Sequence, residues 1–243
     1  MLNLNYPDSI IALSIMLLAY GFRGITGFGS GLIAIPLLAL IYPLTFVVPF
    51  ITLLDWLASV LHGVHHRKQA QWSLIVPALP FTLAGIITAL YVFKNIDTIQ
   101  LVRALAIFIL GFSIYSLISP DFKPHNSKLW AAPAGLFGGI VSTLFGTGGP
   151  FYVMYLQFQG IPKGIFRATI ASIFVIEGIL RVTGYTIVGF YTKDMLILVL
   201  VSIPVMVLAM SIGGHIHTNI SQRSFQRAVG ILLLGSGIAL LYK

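Results

Sequence analysis

Along the chain, polar positions gather in short clusters between long apolar stretches, at residues 8–42, 45–65, 71–93, 99–119, 130–158, 165–190, 194–217 and 224–242. Each stretch reaches or approaches the roughly 20 residues that carry a helix across a bilayer. The pattern predicts an all-α polytopic membrane protein with short loops and no soluble domain. Composition points the same way: 58% of the 243 residues are hydrophobic, 8% are charged and the mean hydropathy is +0.98. Too few polar groups are present to cover a water-soluble globule. No Lys or Arg precedes the first apolar run and Asp8 lies at its start, so that run is expected to stay in place rather than to be cleaved as a signal peptide.

Two of the apolar runs are interrupted where a membrane helix should be smooth. "TLFGTGGPFYVMYL", from Thr143 to Leu156, holds three glycines and a proline, and "TGFGSGLIAIPLL", from Thr26 to Leu38, repeats the interruption. A shift of 117 residues pairs Gly21 with Gly138, Thr26 with Thr143, Phe28 with Phe145, Gly29 with Gly146 and Gly31 with Gly148. A shift of 124 then aligns Pro80 with Pro204, Asn95 with Asn219, Arg103 with Arg227, Ala104 with Ala228 and Gly111 with Gly235. The chain therefore divides into two homologous halves, 1–120 and 121–243, as one membrane domain made of two repeats.

Loop charges bear on how the halves are oriented. If each opening segment crosses once, Lys and Arg divide evenly between the two faces. If each folds back at its glycines, Arg67, Lys68, Lys123, Lys128, Lys163, Arg167, Arg223 and Arg227 share one face, against Lys94, Arg103, Lys193 and Lys243 on the other. The positive-inside rule then puts the larger group in the cytoplasm and both termini outside. This favours inverted repeats, each opening with a Gly-broken helical hairpin, with roughly eight to ten transmembrane elements in all. The hairpins either span fully or enter as two re-entrant halves.

Non-helical backbone at membrane depth leaves amides and carbonyls without partners unless protein or a water-lined cavity satisfies them. Paired breaks at matching positions of two repeats are the sequence pointer to a transport site. A new half-helix begins at each break, offering the free first amides around Ser30, Gly31, Gly148 and Gly149 and the positive end of its dipole. The hydroxyls of Thr26, Ser30, Thr143 and Thr147, beside Gly29 and Gly146, complete a cup suited to a small oxyanion. The competing reading is close helix packing, which also uses glycines at three- or four-residue spacing.

The duplicated pattern, Phe-Gly-Ser/Thr-Gly followed by a proline, resembles the TauE/SafE family of membrane proteins, named for exporters of sulfite and organosulfonates. In the second half "GLFGGIVSTLFGTGGPFYVMYL" and "FRATIASIFVIEGILRVTGY" are similar to that family's second signature block. The first copy carries Ser30 and Leu32 where the fuller pattern has consecutive glycines. The resemblance covers essentially the whole chain and implies a secondary transporter, an exporter of sulfite, organosulfonates or related sulfur-containing anions, in the inner membrane. Its partners are then a small anionic substrate and the lipid bilayer, with the oligomeric state open, a homodimer included. Carriers of carboxylates or another solute, and an anion channel, are the alternatives.

Several charged residues fall inside apolar runs, where an ionisable group is a functional hypothesis by default. Glu177 and Arg181, four apart on one helix face, can form an ion pair or serve the transport cycle. Asp55 is a candidate for proton coupling or a partner for Arg23. Arg23 either brings a positive charge to the anion or faces water near the hairpin tip. Arg103 and Arg167 suit snorkelling or lipid phosphate contact, and His65, His66, Arg67 and Lys68 form a basic topological loop. His215 and His217 lack a third ligand, so no metal is expected, and no cofactor either. The excess of basic residues marks topology rather than nucleic acid. The sequence holds no cysteine, no His-Glu-x-x-His, no Gly-x-Ser-x-Gly and no ATP-binding Gly-x-x-x-x-Gly-Lys-Ser/Thr loop, which argues against an enzyme.

Overall fold

A computed structural model describes residues 6–27, 29–63, 69–118, 127–215 and 222–242. Among these the elements are α1 (Tyr6–Thr26), α2 (Ser30–Leu38), α3 (Leu44–Gly63), α4 (Trp72–Ile75), α5 (Leu79–Asn95), α6 (Thr98–Ile118), a short 3-10 turn at Lys128–Trp130, α7 (Ala131–Phe145), α8 (Gly149–Phe158), α9 (Lys163–Val188), α10 (Lys193–His215) and α11 (Gln222–Leu241). Among the described residues, five helical stretches are long and apolar enough to cross a membrane: Asp8–Thr26, Leu44–Leu61, Thr98–Tyr115, Lys128–Phe145 and Lys193–His215. Helix α5 and the Gly230–Leu241 part of α11 are shorter apolar helices. Helix α9 has 26 residues and carries Glu177 and Arg181 within it. Phe28 of the repeated motif, the basic loop from His65 to Lys68, Lys123 and His217 lie outside the described residues, as do the side chains of Lys163, Arg223 and Arg227.

The chain forms two compact units. The first comprises α1, α2, α6, α10 and α11, and the second comprises α3 from Val48 onward, α4, α5, α7, α8 and α9. Each unit takes elements from both halves of the sequence.

In the first unit α1 packs on α10 and α6 on α11. Close approach along α1 and α10 depends on small residues: a Cβ on Gly24 would run into the Met210 carbonyl, and one on Gly213 into the Gly21 carbonyl. Helices in a bilayer gain association energy from backbone proximity of this kind. Ser113 Oγ donates to the Gly230 carbonyl at 2.6 Å, joining α6 to α11.

In the second unit α5 packs on α7 by the same device. A Cβ on Gly135 would lie 2.5 Å from the Ala78 carbonyl, and one on Gly139 2.5 Å from that of Thr82. Tyr152, Tyr155, Leu156, Ile170 and Ile173 form a core with Leu74 and Ile75. Its phenols are engaged: Tyr155 donates to the Leu74 carbonyl at 3.1 Å, and Tyr152 pairs with the Thr82 hydroxyl at 3.2 Å.

The glycine clusters do interrupt the helices. Helix α1 stops at Thr26, Gly27 and Gly29 take φ of 85° and 93°, and α2 starts at Ser30. Helix α7 stops at Phe145, Gly146 takes φ of 65°, and α8 starts at Gly149 with Pro150 in its first turn. A residue with a Cβ is strained in that left-handed region. Packing and breakage fall largely to different glycines: Gly24, Gly135 and Gly139 make close helix contacts and Gly27, Gly29 and Gly146 take the left-handed turns, while Gly148 of the second break is itself closely packed. Across the second break Phe151 stacks on Phe137, Phe158 meets Trp130 and Gln159 Nε2 donates to the Ser127 carbonyl at 3.0 Å. The arms are unequal. Helices α2 and α8 have 9 and 10 residues, about 14–15 Å at 1.5 Å per residue, roughly half the hydrocarbon thickness of a bilayer.

Candidate functional site

In the second unit, polar side chains concentrate where α9 meets α3 and the end of α7. Ser142, in the last turn of α7, donates to Glu177 Oε1 on α9. Two turns further along α9, the Tyr185 phenol donates to the Thr143 carbonyl. That carbonyl belongs to the final turn of α7, where no later helical amide is available to it. Between these contacts, Arg181 Nη2 donates to Thr52 Oγ1 on α3 at 2.5 Å. Glu177, Arg181, Thr143 and Thr147 are all buried, at 3%, 7%, 0% and 3% exposure.

Glu177 and Arg181 thus share a face of α9, as their spacing requires, yet Glu177 accepts from Ser142 on α7 and Arg181 donates to Thr52 on α3. Their charges still act on one another. Gly178, next to Glu177, lets the Trp56 indole of α3 lie against α9: a Cβ there would fall 2.5 Å from Trp56 Cδ1. Gly148 plays the same part at the break, where an added Cβ would strike the Gly138 carbonyl and come within 2.6 Å of Ser142 Cβ. The turn from Gly146 to Gly149 is thereby seated on the helix that carries Ser142 and Thr143.

At the first break, in the other unit, Arg23 is buried at 6% exposure and Nη1 donates to Ser30 Oγ at 3.0 Å. Arg23 therefore faces protein, not water. Ser30 opens α2 with Gly29 as its N-cap, and the first backbone bond of the new helix runs from the Leu32 amide to the Gly29 carbonyl. The Ser30 and Gly31 amides precede that bond. At the second break the corresponding bond runs from Phe151 to Gly148, and Pro150 has no amide hydrogen to offer, so Gly149 is the first-turn donor. Thr26 differs from expectation in one respect: its hydroxyl donates back to the Phe22 carbonyl of its own helix at 3.0 Å.

Of the remaining expected residues, Asp55 is half-buried on α3, one residue before Trp56. Arg103 lines a cavity of about 430 Å³ with Tyr42, Thr98 and Tyr242. Sequence inspection did not single out Thr52, Trp56, Ser142 or Tyr185. The one local hint was Gly178, an isolated glycine inside a helical run, which marks a close packing partner.

The family model described as sulfite exporter TauE/SafE matches residues 12–240. A probable inner membrane transporter protein, TsaS, of Comamonas testosteroni is 24% identical over 195 residues, covering 78% of this chain and 80% of that protein. A probable sulfite/organosulfonate exporter, TauE, of Cupriavidus necator is 21% identical over 226 residues, covering 90% and 88%. No solved structure matches the chain.

Proposed function

Because the chain belongs to the TauE/SafE sulfite exporter family and is a multi-pass membrane transporter rather than an enzyme, we propose that it is a secondary carrier of small oxyanions in the inner membrane, with sulfite or an organosulfonate as substrate. The observation that carries this reading is the pair of helix breaks at Gly27–Gly29 and Gly146–Gly148, each followed by a half-length helix. Transport by alternating access uses these breaks, at which Ser30 and Gly31 in the first unit and Thr143, Thr147 and Gly149 in the second supply donors. Two inverted repeats, 1–120 and 121–243, underlie the motion, with both termini outside. Helix packing supports that division. The opening helix of each half, α1 or α7, lies on a later helix of the other half, α10 or α5; exchanging the halves turns one contact into the other.

Export follows from energetics. An inside-negative potential favours an outgoing anion by about 2.3 kcal/mol per charge per 100 mV, so export requires no coupling ion. The test is flux in proteoliposomes with sulfite, methanesulfonate, taurine, sulfate and short carboxylates at two clamped potentials. Saturable, potential-dependent flux of a sulfur oxyanion with substrate counterflow is the expected result. Absence of anion flux overturns the reading, and single-channel currents convert it to a channel.

A further inference from the structure

Buried polar atoms without partners are rare in folded proteins and destabilising. Among the described residues such side-chain atoms are Trp56 Nε1, Thr143 Oγ1, Thr147 Oγ1 and Arg181 Nε. All of them lie in the second unit, and every one carries a hydrogen to donate. Building on the anion-transport reading above, we infer that these four atoms are the recognition set for the transported anion, and that they select a head group with three or more oxygens, such as a sulfite or sulfonate, over a planar carboxylate.

The supporting contacts are continuous. Thr52 and Trp56 stand one turn apart on the face of α3 that meets α9: Thr52 receives Arg181 Nη2 at 2.5 Å, and the Trp56 indole lies on Gly178, three residues before Arg181. Thr52 takes a hydrogen of Nη2 and leaves the Nε hydrogen without a partner, and a guanidinium N–H makes a strong charge-assisted hydrogen bond to an oxyanion oxygen. Tyr185, one turn beyond Arg181, holds the Thr143 carbonyl, which ties the residue that carries one of the four atoms to α9. Thr147 follows across the turn at Gly146, beside Gly148 and the Ser142 that it touches. Donors arriving from α3, the break and α9 suit oxygens pointing in several directions. Glu177, the acid in this region, is turned to Ser142.

Of the three tryptophans in the chain, Trp72 and Trp130 are about half exposed, at 49% and 46%. A Trp72→Phe/Trp130→Phe double variant of the full chain leaves Trp56 as the sole indole emitter. Titration with sodium sulfite and methanesulfonate should change its emission saturably, with acetate at least tenfold weaker. In proteoliposomes Trp56→Phe, which keeps an aromatic ring and loses the N–H, should raise KM for sulfite about 5–30-fold. Arg181→Lys keeps the charge and loses the planar edge, and should raise KM at least tenfold. Sulfite should raise the melting temperature of the wild type and leave both variants unmoved, which separates ligation from misfolding. Unchanged KM in both variants, in a wild type that carries sulfite, overturns the recognition set and leaves anion transport standing. A wild type that carries no anion overturns both. Trp56 emission that responds to acetate as to sulfite overturns the selectivity.

Discussion

Gly148→Ala tests whether the turn at the second break must sit tightly on α7. Gly148 has an ordinary backbone, φ −69° and ψ −12°, so an alanine there meets no conformational strain and the whole effect is steric. The added Cβ would lie 2.6 Å from Ser142 Cβ and closer still to the Gly138 carbonyl, whereas ordinary contact begins at 3.4 Å. The turn must therefore back away from α7 by about 0.8 Å or more, against a backbone carbonyl that cannot rotate aside. Overpacking by one methyl in a filled site costs about 1–3 kcal/mol, a dent in folding stability rather than its loss when the total is about 5–15 kcal/mol.

Transport should suffer more than folding, because the displaced residues include Thr147 and the Ser142 that holds Glu177. We expect flux at least tenfold below wild type at near-normal membrane abundance, with Gly148→Val worse. Gly164→Ala is the control: it lies early in α9 with open space around it, where alanine favours the helix by up to about 1 kcal/mol. The assay is sulfite flux per unit of reconstituted protein, with melting temperature in detergent alongside. Wild-type flux and stability in Gly148→Ala would refute the tight seating of the turn, and with it the steric argument for a glycine there.

Other substitutions probe neighbouring links. Tyr185→Phe leaves the Thr143 carbonyl buried without a donor and should lower stability by about 1–3 kcal/mol, read as a drop in melting temperature; no drop would show that another donor reaches that carbonyl. Glu177→Gln removes the negative charge beside Arg181, so if Glu177 carries a coupling proton, the pH dependence of flux should flatten, and an unaltered pH profile would exclude that role. Since the chain has no cysteine, single cysteines report topology cleanly: Asp97→Cys, in the exposed link between α5 and α6, should react with an impermeant maleimide from outside, and Lys128→Cys only after permeabilisation. The reverse pattern would invert the orientation.

Much of the architecture was legible in the sequence because it depends on local rules. Apolar length alone marks helices such as α1, α3 and α10, and clustered glycines mark both breaks, where Gly27, Gly29 and Gly146 supply the left-handed residues that a turn needs. Arg23 and Ser30 were both singled out, and they meet across seven residues. The second site was only half legible. Arg181 and Glu177 stand out as charges in an apolar run, but their partners Thr52 and Ser142 are 129 and 35 residues away. No periodicity encodes such pairings. Trp56 reads in sequence as one more aromatic of an apolar helix, and only the packing on Gly178 sets it apart. Thr26 illustrates the opposite failure: a hydroxyl counted toward the site satisfies a carbonyl four residues back, a local competition to which threonines in helices are prone.

The two breaks are not equivalent in their chemistry, and the difference is already present in the sequence. The repeat places Ile140 opposite Arg23, so the first break has a cation of its own and the second must take one from α9. Arg23 spends its charge on Ser30 at the start of α2, bracing that turn from within, whereas Arg181 keeps Nε without a partner. If the first break is the brace and the second the binding locus, equal changes at the two arginines should separate in their effects. Arg23→Gln loses a charged hydrogen bond worth about 1.5–3 kcal/mol and should lower the melting temperature, with KM for sulfite within about threefold of wild type on the scale where 1.4 kcal/mol is tenfold. Arg181→Gln should raise KM far more and abolish stabilisation by sulfite. Equal KM effects at the two positions would refute the division of labour.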